Sequence, residues 1–190
     1  MVMFGITTKT IKLCKKCLTK LIKDFDTLVV LPTKEIANKT MKIRTLGHTL
    51  YSNDLKEFEH YLGFSIPQDY CDFLKHNNGG KFLDGYYIFF VENNHPILVD
   101  AFYGIDINDG LDLKVCYRDF SYDMPPKSLV IASTGGYGQL LLVCEESNEF
   151  QKGIYYWDDV YYLETSNDED NCYFVATSFT EFIEKLRLDG

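Results

Sequence analysis

The sequence predicts an α+β protein in which a mostly antiparallel sheet of about six strands carries helices on one face. Three observations lead there. Residues 52–80 read as two short helices that follow one another with almost no connection and stop at a double glycine. After Gly80, apolar runs of strand length alternate with turn residues. Residues 178–186 then read as a capped amphipathic helix that closes the chain.

In the first helix, Leu55, Phe58 and Leu62 fall at i, i+3 and i+7 and form one apolar stripe, while Asp54 and Glu57 suit the positive helix start. Ser52 or Asn53 can cap it and Gly63 can end it. Pro67 fits the first position of the second helix, where a missing N–H costs nothing, and Tyr70, Phe73 and Leu74 share its buried face. The run Asn77, Asn78, Gly79, Gly80 stops that helix where a positive φ is cheap. Residues 86–91 are apolar on both alternating faces, as an internal strand requires, and Pro96 marks a turn before an antiparallel partner at 97–102. A short helix fits residues 111–120 and cannot pass Pro125 and Pro126.

Residues 129–133 and 139–145 flank Thr134-Gly135-Gly136-Tyr137-Gly138, a tight turn between paired strands. A phosphate-binding loop would lead from a strand into a helix and carry a following Lys-Ser/Thr. This one leads into Leu140-Leu141-Leu142, so the turn reading wins. Residues 154–157, 161–163 and 172–176 complete the sheet, with acidic residues 167–170 as a solvated hairpin tip. Ser178 and Glu181 form a capping box ahead of the stripe Phe179, Phe182, Ile183 and Leu186.

The run LGFSIPQDYCDFLKHNNGG at residues 62–80 resembles the signature of the SUKH superfamily, with Ile66 in place of the usual leucine. DAFYG at 100–104, residues 125–143, GIYYWD at 153–158 and SFTEFIEKL at 178–186 follow in the order that superfamily would predict, so the similarity runs from about residue 52 to the C-terminus. On this resemblance Gly63, Pro67, Tyr70, Gly79, Gly80, Gly135 and Gly136 are the motif positions that build the fold. The superfamily holds bacterial toxin-immunity proteins and a fungal regulator of cell-wall glucan synthesis. The resemblance therefore implies a protein that binds and silences a toxin domain, or else a regulatory scaffold.

At 190 residues and 46% hydrophobic, the chain is long enough for one well-packed core and short for two. Its net charge of −9 is divided unevenly. Residues 1–50 carry ten Lys+Arg against three Asp+Glu, whereas residues 51–190 carry nine against twenty-five. A basic N-terminal segment, 1–50, is thus expected to pack on or be tethered to an acidic domain, 51–190. Within it, Ile11, Cys14, Leu18, Leu21, Ile22 and Phe25 recur at helical spacing among five lysines; residues 28–32 could form a strand and residues 41–46 alternate weakly, so that a peripheral hairpin or an extended connection both fit. A basic helix of this kind could meet nucleic acid or an anionic membrane. Docking on the acidic body is the plainer expectation, and neither of those two partners is expected.

Cys14 and Cys17 have no second ligand pair at zinc-site spacing, and Cys71, Cys116, Cys144 and Cys172 sit singly in apolar patterns, as reduced thiols of a cytoplasmic protein would. No apolar run is long enough for a membrane span or has the form of a secretory signal.

No metalloprotease, nucleophile-elbow or P-loop motif is present, and His48, His60, His76 and His95 are accounted for by helix ends and turns. Adjacent carboxylates such as Asp158 and Asp159 point to opposite faces of a strand, so no acid–base pair is expected. The reading is a non-enzymatic protein without metal or cofactor. What remains is recognition. Helices on one sheet face cannot cover all of Tyr86, Tyr87, Tyr155, Tyr156, Tyr161 and Tyr162, and nearby carboxylates would ring the exposed rings with acid. The expected partner-binding residues are Asp84, Tyr86, Glu92, Tyr155, Trp157, Asp158 and Asp159. The expected partner is a toxin domain; a nuclease with a cationic cleft would suit such a surface.

Overall fold

A computed structural model describes residues 41–107 and 110–189. The basic helix expected within residues 10–25, Cys14, Cys17 and the run 28–32 lie outside the described residues. Elements follow in the order β1 (Ile43–Thr45), α1 (Ser52–Leu62), α2 (Gln68–Asn77), β2 (Gly80–Phe82), β3 (Tyr87–Val91) and β4 (His95–Phe102). They continue with α3 (Leu113–Phe120), β5 (Ser128–Thr134), β6 (Gln139–Val143), β7 (Gly153–Trp157), β8 (Cys172–Ala176), α4 (Phe179–Lys185) and β9 (Arg187–Leu188).

Every strand pairing is antiparallel, and the sheet order is β1-β2-β4-β5-β6-β7-β8, with β3 on β4 and β9 on β3. The class is α+β, as the sequence predicts, but the described sheet has nine strands rather than about six. The additional strands are β1, β2 and β9, two or three residues each and too short to show a period of two. Residues 161–163, expected as a strand, are loop, and Tyr161 has φ +53°. Ile43–Thr45, within the weakly alternating stretch 41–46 of the N-terminal segment, is the edge strand beside β2.

Strand register decides what covers each face, because paired residues share a face and successive residues alternate. Phe102, Ala132, Leu140 and Tyr156 form one such row. On it lie Phe73 of α2 and Phe179 of α4, their rings 5.0 and 5.9 Å from that of Phe102. Ser133, Gln139 and Trp157 form the row on the reverse face. There the ring of Phe120 stands edge-on to Trp157 at 5.9 Å, and the Tyr103 hydroxyl donates to Gln139 at 3.1 Å. Helix α3 thus departs from the face that α2 and α4 share. Central strands covered on both sides carry unbroken apolar runs, which is why β6 and β7 read Leu-Leu-Leu-Val and Ile-Tyr-Tyr-Trp and are buried throughout from Leu140 and Gly153 onward.

The ends of α2 are fixed by single residues. Pro67 sits just before the helix as its N-cap rather than at the first helical position. At the other end Asn78 takes φ +38° and is 1% exposed. Its amide donates to the carbonyls of His48 (2.9 Å) and Ile105 (3.1 Å), and its oxygen accepts the Ile105 N–H (2.7 Å). One side chain thereby ties the first described loop, the end of α2 and the loop after β4. Gly79 follows with φ +76°, and a Cβ there would stand 3.0 Å from the Phe102 carbonyl oxygen and the Gly104 nitrogen. Only glycine meets both the torsion and the space.

At α4, Ser178 accepts the Glu181 N–H as predicted, while Glu181 reaches back to the Thr177 N–H at 2.8 Å. Hydrogen bonds from Lys185 and Thr177 lower the Glu181 carboxyl to about 2. The N-terminus of α4 is also joined to that of α2, because the Asp69 carboxylate accepts the N–H groups of both Tyr70 (3.0 Å) and Thr180 (2.9 Å).

Candidate protein-binding surface

Antiparallel pairing gathers three connections at one end of the sheet. They are the 3-10 turn Glu92–Asn94 before β4, the turn 135–138 between β5 and β6, and the long loop 158–171 between β7 and β8. None of the three contains a lysine or arginine, whereas they hold Glu92, Asp158, Asp159, Glu164, Asp168, Glu169 and Asp170. Burial decides which of these charges face solvent.

Asp158 does not. It is completely buried, and its two oxygens accept the N–H groups of Tyr162 (2.9 Å) and Leu163 (2.8 Å) together with the Ser166 hydroxyl. The Tyr173 hydroxyl, 2.8 Å from Thr165 Oγ1 and 2.9 Å from Ser166 Oγ, extends the network to β8. A carboxylate bonded three ways replaces the strand pairing this loop lacks, and it holds residues 161–163 in one conformation.

What the loop displays is aromatic. Tyr161 and Tyr162 are 49% and 43% exposed, and across from them Tyr137 of the 135–138 turn is 44% exposed. Tyr137 and Tyr162 stack with centroids 4.0 Å apart and planes 28° from parallel, and the His95 ring meets Tyr162 edge-on at 5.1 Å. The Tyr161 hydroxyl donates to Asp168 at 2.6 Å, and that bond raises its pKa. Asn167 accepts the N–H groups of Glu169 (2.9 Å) and Asp170 (3.0 Å), folding the acidic tip of the loop, where both residues are exposed.

Asp159 stands at the edge of this group. Its Oδ1 is buried and has no hydrogen-bond partner. Burial raises its pKa, its own backbone N–H works against that, and the charge of Asp158 adds to it.

The seven residues singled out from the sequence therefore do not form one patch. Tyr155, Trp157 and Asp158 are buried. β7 is flanked by β6 and β8 and covered above and below, so Tyr155 packs between Phe150 and Phe174 while Trp157 lies under Phe120. Asp84 and Tyr86 are exposed at the opposite end of β3, next to Leu188, where Asp84 accepts the Tyr87 hydroxyl at 3.2 Å. Glu92 is exposed at the aromatic end, about 20 Å from Tyr86 by strand rise. Tyr137 and His95 escaped notice as site residues because each reads locally as part of a turn, and only the strand order brings them to Tyr162.

Burial pushes the Cys71, Cys116 and Cys172 thiols up to about 11 and Cys144 up to about 12, which favours their protonated form at neutral pH. Among the described residues no three His, Cys, Asp or Glu side chains are grouped to hold a metal, and no helix is long and apolar enough to cross a membrane. A hollow lined by Pro67, Gln68, Asp69, Lys152 and Ser178 lies at the helix N-termini, where the Asp69 carboxylate already takes up the free N–H groups.

Among the described residues, a nine-stranded antiparallel sheet with four helices, and a solvent-facing group of rings and carboxylates at one end of it, define an α+β protein. The chain belongs to the SMI1 / KNR4 family (SUKH-1), which it matches over residues 50–185. That family takes in immunity and regulatory proteins that are generally non-enzymatic. The chain is also similar to the SPbeta prophage-derived uncharacterized protein YokK of Bacillus subtilis (strain 168), at 26% identity over 152 residues, which are 71% of this chain and 73% of that protein.

Proposed function

We propose that this protein is an immunity protein that neutralises a cognate toxin domain by binding it, without catalysis, through the end of the sheet that carries Tyr137, Tyr161 and Tyr162. The observation that supports this reading is the exposure of Tyr161 and Tyr162, on a loop locked from beneath by Asp158, and of Tyr137 on the neighbouring turn, in loops that carry carboxylates and no lysine or arginine. Rigid aromatic side chains give contact area at small entropic cost. Carboxylates around them draw in a cationic cleft from a distance and then occupy the places of its anionic substrate.

Family membership and the similarity to a prophage-derived bacterial protein agree with a bacterial immunity role. The test is co-expression with the product of the adjacent gene, scored by growth. Growth is expected to be restored by the wild-type chain and lost with the Tyr161→Ala/Tyr162→Ala double variant, its thermal transition unchanged. Protection that survives this change, or an absence of protection by the wild-type chain, overturns the proposal.

A further inference from the structure

We propose that residues 10–25 of this chain cover the reverse face of the β3–β4 hairpin, seating the apolar positions Ile11, Leu18, Leu21, Ile22 and Phe25 on Tyr86, Ile88, Phe90, Pro96 and Leu98. Composition leads to docking somewhere on the acidic body, and strand register supplies the face. This contact is independent of the one with a toxin.

In the β3–β4 pairing Ile88 stands opposite Leu98 and Phe90 opposite Pro96, so these four share one face with Tyr86. Tyr87, Phe89, Val91, Ile97 and Val99 are buried on the other face, where the ring of Phe89 meets that of Phe182 of α4 at 5.5 Å. An antiparallel hairpin with one face in water alternates apolar with polar residues. This hairpin is apolar on both, yet Tyr86 and Phe90 are 69% and 47% exposed, and Ile88 and Leu98 are half-buried. Helix α3 meets the reverse face elsewhere, at Trp157 of β7.

The place where the chain enters the body selects the segment. β1 runs antiparallel to β2, and the Leu83 N–H donates to the Lys42 carbonyl at 2.9 Å, so residues 1–40 lead in beside the 83–86 turn that opens β3. Residues 26–40 span at most about 50 Å, and a tether of that length holds the segment at a roughly millimolar effective concentration. A helix over 10–25 would extend about 24 Å, close to the about 20 Å from Tyr86 to Glu92. Lys12, Lys15, Lys16, Lys20 and Lys23 complement Asp84 and Glu92, which are exposed at the two ends of β3. A second copy of this chain, at a net charge of −9, would instead set the same carboxylates against themselves.

Isoleucine and leucine methyls mark both sides of the contact, so methyl NMR of the full-length protein tests it. NOEs are expected from Leu18, Leu21 or Ile22 to Ile88 and Leu98, and none between chains when labelled and unlabelled protein are mixed. Limited tryptic cleavage after Lys12, Lys16 and Lys20 is expected to speed up about tenfold or more in Phe90→Asp. The same gain is expected in Leu21→Asp, which changes nothing in residues 41–189. NOEs from the segment to other methyls alone, NOEs between chains, which would give the face to a second copy, or cleavage unchanged in both variants overturn the proposal. A face that gains its covering only when the product of the adjacent gene is added overturns it as well.

Discussion

Two adjacent aspartates show how far one position changes what a carboxylate does. Asp158 is saturated with donors and works inward, so a lysine there would replace the acceptor with a buried cation, leave the N–H groups of Tyr162 and Leu163 unpaired and unfold the loop. Asp159 has its Oδ1 buried and unbonded, and its pKa stands above the ordinary 3.8. With a folded-state pKa raised over the unfolded one, the native protein holds more protons in the window just above 3.8, so this group's contribution to stability falls as pH rises through that window. Glu181, lowered to about 2, acts in the opposite sense and loses its contribution as pH falls from about 4.5. Asp159→Asn removes the first effect and leaves the second. Thermal unfolding is expected to show the variant gaining on the wild type between pH 4 and pH 7. A difference in Tm that stays constant over this range would contradict the assignment.

At the level of elements, α2 is the junction of the fold. Phe73 is 2% exposed and its ring lies 4.8 to 6.0 Å from those of Phe179, Phe102 and Tyr70, so it joins α2 to α4 and to β4 at one point. Phe73→Ala is expected to cost about 3–5 kcal/mol in denaturant unfolding with little change in m; a loss under about 1 kcal/mol would mean that the three elements are not joined there. This junction was legible in the sequence because its signals are local. The spacing of Tyr70, Phe73 and Leu74 marks a helical face, and the run from Asn77 to Gly80 marks a stop. The tie that Asn78 makes to Ile105, 27 residues away, leaves no such local mark. For the same reason the surface was only half legible. A run such as Tyr155-Tyr156-Trp157 looks like exposed aromatic area until strand order puts β7 between β6 and β8, and Tyr137 meets Tyr162 only after the sheet has formed.

For the whole molecule, the question is which end of the sheet meets the partner, because the residues expected from the sequence are split between two ends about 20 Å apart. That separation exceeds the Debye length of about 8 Å at physiological salt, so a charge change at one end is largely screened at the other. Glu169→Lys with Asp170→Lys, at the aromatic end, and Asp84→Lys with Asp189→Lys, at the far end, each replace two negative charges by two positive ones. Either pair takes the net charge from −9 to −5. Long-range attraction set by total charge would make the two variants equal. Attraction focused at the tyrosines makes the first bind a cationic toxin domain about tenfold or more slowly at low salt, with a flatter dependence of the association rate on ionic strength, while the second stays near wild type. Dissociation rates should change less than association rates for both, since the exchanged residues are exposed charges. Stopped-flow association at several salt concentrations measures this directly. A larger effect from the Asp84 and Asp189 pair would move the contact to the end where Tyr86 and Leu188 are exposed.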